Sequence, residues 1–225
     1  MFIGHYGVAF AARGIERRVP LWAYFIAVQW VDILWCVLVL LGVERVHIEP
    51  GVNPSGPLVF DYYPYSHSLF AGVLWGLAAF CVYLLVTRAR NAQRAGLALG
   101  LAVSSHWVLD FLVHLPDLDL VSESYKVGLG LWRYPAIEIA IELVLIVAGL
   151  ILYFRSRPAV STPRRIALVA LCVTIGVVQL VGDYGPPPPS VKAMAAAGLA
   201  LYLTFAALAR AAEGPAREPQ STTSL

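Results

Sequence analysis

Residues 104–114, SSHWVLDFLVH, place His106, Asp110 and His114 at steps of four within an otherwise apolar run. Each step of four advances only about 40° around a helix, so the three side chains share one face. Imidazole nitrogens and carboxylate oxygens are the donors that bind zinc and related divalent ions. The same trio can also relay protons or tie helices together. Which chemistry applies depends on the ionisable groups that neighbouring elements bring alongside.

Those elements are membrane spans. Of 225 residues, 59% are hydrophobic and only 13% charged, against about 25% charged in soluble domains. Six runs are long enough to cross a bilayer, roughly 20–43, 66–87, 95–114, 135–154, 166–183 and 190–211. Pro20, Pro135 and Pro163 stand near three of their starts. The sequence therefore predicts an all-α, polytopic membrane helix bundle. One transmembrane domain covers 1–212, and 213–225 reads as a disordered cytoplasmic tail. The first residues carry no basic region or cleavage site of a signal peptide, so none is expected to be removed. Net charge is only +2, with no basic, aromatic-interleaved run, and nucleic acid is excluded as a partner. Cys36, Cys81 and Cys172 sit in apolar runs and read as small buried hydrophobes.

Cation placement orients the bundle. With the N-terminus in the cytoplasm, Arg13, Arg17, Arg18, Arg88, Arg90, Arg94, Arg155, Arg157, Arg164, Arg165, Arg210 and Arg217 lie inside. Only Arg45, Lys126, Arg133 and Lys192 lie outside. That bias predicts cytoplasmic N- and C-termini.

Depth then selects the site. Counted at 1.5 Å per residue from the inner arginines, His106 stands about 18 Å up, Glu142 about 20 Å, Asp32 about 21 Å, Asp110 about 24 Å and Glu138 about 25 Å. His67 and His114 reach about 30 Å. Charged groups in spans face the bundle interior, so a slab of seven in the outer half marks a site. The run MFIGHYGVAFAA is too short to span and is read as a re-entrant or interfacial helix that lifts His5 about 12 Å toward the others.

The stretches GHYGVAF, VDILW, SHS at 66–68 and SHWVLDFLVHLPDL resemble a bacterial family described as predicted membrane-bound metal-dependent hydrolases, the YdjM-like or domain of unknown function 457 group. The resemblance covers about residues 4–120. It implies an inner-membrane, metal-dependent hydrolase. Where that family carries His-Arg-Gly-x-Thr-His-Ser, this chain has YYPYSHS, with Tyr62 in place of the first histidine and His67 retained. A fainter likeness to zinc-dependent phospholipase C and P1 nuclease lies in the His-x3-Asp spacing and in EIAIE, which sets Glu138 and Glu142 four apart. It implies phosphoester hydrolysis.

The resulting expectation is a divalent metal, zinc first with manganese or iron as alternatives, on His5, Asp32, His67, His106 and Asp110. Glu138 and Glu142 are the catalytic candidates, as general base or as supports of ligand histidines. His114, Tyr62 and Asp61 are expected as outer supports or substrate contacts, and Ser66 as the N-cap of the helix at His67. Partners are the lipid bilayer and an amphiphilic substrate. A rival reading, a transporter or permease using the same groups for proton or ion coupling, predicts polar residues through the full membrane depth. The inner halves of the spans read instead as Leu, Val and Ala. A third reading is a non-catalytic subunit whose cluster glues helices. Gly72-x3-Gly76 and Gly96-x3-Gly100 read as helix-packing faces, and 115–134 as a lid. With no Gly-x-Ser-x-Gly elbow, a serine nucleophile has no support.

Overall fold

The computed structural model describes residues 1–87, 92–122 and 125–214. Arg88 and Arg90 of the inner set, Glu123, and residues 215–225 of the expected tail lie outside them. Five helices are long and apolar enough to cross a membrane: α5 (Leu69–Val86), α6 (Ala92–Val113), α7 (Pro135–Ser156), α8 (Thr162–Tyr184) and α9 (Val191–Glu213). A sixth span forms if α2 (Leu21–Val28) and α3 (Trp30–Leu40) count as one. The chain is a multi-pass, all-α membrane protein. Its outward faces carry exposed apolar residues such as Leu85, Val144 and Ile166, as lipid contact requires. Cys36 and Cys172 are buried, but Cys81 lies on the exposed side of α5.

The N-terminal helix α1 (Ile3–Ile15) is buried along most of its length and packs chiefly on α7. Contact is backbone to backbone. A Cβ at Gly7 would come within 2.5 Å of the Leu145 carbonyl oxygen, and one at Gly149 within 2.2 Å of the Gly7 carbonyl oxygen. The expected packing of α5 on α6 is of the same kind, with Gly76 and Gly100 at its centre.

Three features differ from the sequence expectation. The first span is broken at Gln29 and bent by 53°. The connector after it is an antiparallel hairpin, β1 (Arg45–Asn53) and β2 (Gly56–Tyr62), pairing Val46 with Phe60 and His47 with Val59. Its apolar runs were too short and its turn too irregular to announce it. After a one-turn α4 (Pro64–His67), Ser68 rather than Ser66 caps α5, accepting from Ala71 N at 3.0 Å. The loop after α6 holds a two-residue ladder, β3 (Leu118–Asp119) with β4 (Lys126–Val127), and a short 3₁₀ turn at Leu131–Arg133.

The opposite, arginine-rich end is not purely apolar. There Glu213, at the end of α9, collects Arg13 Nε at 2.6 Å, Leu21 N at 2.9 Å, the Tyr153 hydroxyl at 3.3 Å, and Arg157.

Candidate metal centre

Asp110, on the buried face of α6, is the hub at the hairpin end. Its Oδ2 lies 3.0 Å from His106 Nε2, 3.8 Å from His67 Nε2 and 4.0 Å from His114 Nε2. Its Oδ1 lies 3.2 Å from His5 Nε2 and 2.9 Å from the Met1 amino nitrogen. Asp32, on α3, turns Oδ1 toward His67 Nε2 at 3.3 Å and His106 Nε2 at 3.6 Å, while Oδ2 accepts the Tyr202 hydroxyl at 3.0 Å. The His5 and His106 rings stack in parallel, 4.0 Å apart. His5, His106 and Asp110 are at most 2% exposed.

Three of the four histidines are tied on the far side, at Nδ1. At the break in the first span, the Val28 carbonyl lies 2.7 Å from His106 Nδ1. A carbonyl only accepts, so that nitrogen carries the proton and Nε2 of the neutral ring keeps its lone pair. His67 Nδ1 lies 2.8 Å from Ser66 Oγ, which donates to Glu44 Oε2 at 2.6 Å. The serine oxygen therefore receives the imidazole proton, again leaving Nε2 bare. Glu44 Oε1 accepts from the Tyr65 and Ser66 amides, both at 2.9 Å, and burial raises its carboxyl above the usual range. His114 donates from Nδ1 to Asp117 Oδ1 at 3.0 Å. Metal-bound histidines are held in this way, by a carbonyl or carboxylate on the ring nitrogen away from the ion.

On its inner side His106 is left without a proper partner. His106 Nε2 has no hydrogen bond, although Asp110 Oδ2 is 3.0 Å away. The two lone pairs do not aim at each other. Four ligands about 2.1 Å from a tetrahedral ion stand roughly 3.4 Å apart, and the nitrogen–oxygen distances here bracket that value. Two triads have all their donor atoms within 4.8 Å, His5–His106–Asp110 and Asp32–His67–His106, and they share His106. The residues present fit a divalent ion.

The other expected residues fall in three places. Glu142 sits beneath the start of α1, where Oε2 accepts from Phe2 N at 3.0 Å and Gly4 N at 2.8 Å and Oε1 accepts from Gln179 at 2.9 Å. With both oxygens engaged it caps α1 and thereby positions His5. Glu138 accepts from Ser55 Oγ of the hairpin tip at 2.6 Å and borders a cavity beside the cluster. Asp61 and Tyr62 stay on β2, bonded to His47 and Tyr65 respectively. Neither glutamate pairs with Arg133 or Lys126; their partners are the groups just named.

Glu44, Asp117 and the Val28 carbonyl were not anticipated as supports. Asp117 was visible as the i+3 partner of His114 in HLPD, and Ser66 as the neighbour of His67. Glu44 lies 22 residues from Ser66, and nothing local points to it.

No family model matches the chain, and neither a curated protein nor a solved structure matches it.

Proposed function

We propose that the chain is a membrane-embedded metal-dependent hydrolase of the YdjM-like kind, in a bacterial inner membrane with both termini cytoplasmic. The carrying observation is the inward set of bare imidazole nitrogens. His67, His106 and His114 each spend Nδ1 on an outer acceptor and present Nε2 to Asp110, and His5 adds a fourth ring. Packing alone gives no reason to aim lone pairs at carboxylates in a dry interior.

His5, His106 and Asp110, with Asp32 and His67 sharing His106 beside them, would hold the ion, zinc first with manganese or iron as alternatives. Bound there, it would supply Lewis acidity and lower the pKa of a water from near 16 to about 7. Asp32 flanks the ligands and is the more exposed carboxylate, at 16% against 3% for Asp110. Tyr202 fixes its Oδ2, which keeps Oδ1 turned toward His67 and His106. An amphiphilic ester or phosphoester, reaching the site from the bilayer, is the substrate class.

Elemental mass spectrometry on protein purified in detergent without chelators tests this. The expected result is about one to two equivalents of zinc, manganese or iron, falling at least tenfold in His106→Ala and Asp110→Ala. A metal-free parent overturns the hydrolase and leaves a proton path or interhelical glue.

A further inference from the structure

Two cavities meet beside the cluster. The first, of about 150 Å³, is bordered by Ser55, Phe60, Trp132, Glu138, Gln179 and Asp183. That volume matches an engineered cavity that admits benzene, so a head group of about six non-hydrogen atoms fits. Among the described residues no lysine or arginine lines it, and the Met1 amino group at its wall is taken up by Asp110. Two carboxylates and two aromatic faces remain, with Phe60 and Trp132 stacked at 6.0 Å. Carboxylates beside aromatic faces are what an ammonium group binds.

The second cavity, of about 430 Å³, is an apolar groove between α3, α8 and α9, bordered by Trp35, Val181, Met194, Gly198, Leu201 and Tyr202. Val181 is 61% exposed, so the groove opens on the side that lipid covers. By the same volume scale it takes an alkyl chain of about seventeen carbons. Phe2, Leu58, Gln179, Gly182 and Asp183 border both cavities, so the two adjoin and form one composite site. It adjoins the metal centre at two points. The Trp132 ring lies 4.0 Å from that of His114, and Tyr202 bonds Asp32.

We propose that this space binds an amphiphile with an ammonium head group, the head against Glu138, Asp183, Trp132 and Phe60 and one alkyl chain between α8 and α9. The assignment rests on the hydrolase reading in that the bound amphiphile is its substrate, with the scissile bond next to the head.

The test is native mass spectrometry of the intact protein in a maltoside detergent, with equimolar lyso-phosphatidylethanolamine and lyso-phosphatidylglycerol carrying the same palmitoyl chain. The ethanolamine adduct should exceed the glycerol adduct about tenfold, as a desolvated ammonium on aromatic and carboxylate partners warrants. Glu138→Gln with Asp183→Asn should bring the ratio near one. Gly182→Leu should weaken both adducts alike, because Gly182 borders both cavities and a Cβ there meets no atom within 4 Å. Equal adducts in the parent, or a ratio that survives the double variant, overturn the ammonium site. Unweakened adducts in Gly182→Leu overturn the chain's placement. Metal content measured on the same samples separates the two readings. Metal without selectivity sinks the ammonium site alone, and selectivity without metal sinks the hydrolase alone.

Discussion

Two of the buried polar clusters among the described residues, one on Glu213 and one on Asp110, are opposites in hydrogen-bond logic. Glu213, at the arginine end, is surrounded by donors: two guanidinium groups, a backbone amide and a phenol. Both of its oxygens meet donated protons. Asp110, at the hairpin end, is surrounded mostly by other acceptors, imidazole nitrogens whose protons face away. A cluster that serves structure satisfies itself; acceptors facing acceptors are what a bound cation would satisfy.

The sharpest break of that contrast exchanges the perturbation between the two ends. Asp110→Asn should lose bound metal at least tenfold while the bundle stays folded, since the amide keeps the volume and adds a donor. Glu213→Ala should do the reverse, keeping metal but losing about 3–5 kcal/mol of stability, because it strands buried guanidinium groups. Detergent-solubilised unfolding followed by circular dichroism, with metal content read in parallel, checks both. If Glu213→Ala also empties the site, the ends are not independent.

A smaller effect sharpens the role of the outer partners. Ser66→Ala removes the link between Glu44 and His67 without touching a ligand. Metal affinity should fall about 10–100-fold, read by competition with a chelator. An unchanged affinity would mean that His67 is not oriented through Nδ1.

The smallest effect lies in the hairpin. The hydrogen bond that His47 donates to Asp61 raises its pKa above the ordinary value of 6.5. The folded pKa exceeds the unfolded one, so the pairing contributes fully below 6.5 and is lost as pH rises through the folded value. The His47 ring proton shift, followed by NMR against pH, should titrate above 6.5 in the parent and nearer 6.5 in Asp61→Asn. Both residues are exposed, so the hairpin should persist at high pH.

Much of this was legible in the sequence. Apolar run length marked the spans, because lipid leaves the backbone no other option. The His-x3-Asp-x3-His face of α6 was legible because helical periodicity alone fixes it. Depth counting grouped Asp32, His67 and His106 before any contact was known. The break at Gln29 was not legible, since LWAYFIAVQWVDILW has neither proline nor glycine to mark it. Nor was the capping role of Glu142, whose partners Phe2 and Gly4 lie about 140 residues away and offer only backbone. Remote partners also hid Glu213, which looked like the start of a tail yet ends α9 as the hub of the arginine end.

The bond from Gly4 to Glu142 spans 138 positions of sequence. Ribosomes add about 5–20 residues each second, so α1 emerges roughly 7–30 seconds before the helix that caps it. During that interval His5 has neither its cap nor the α7 surface that holds it in place. The cluster is therefore finished late, after four later apolar segments have been delivered to the bilayer.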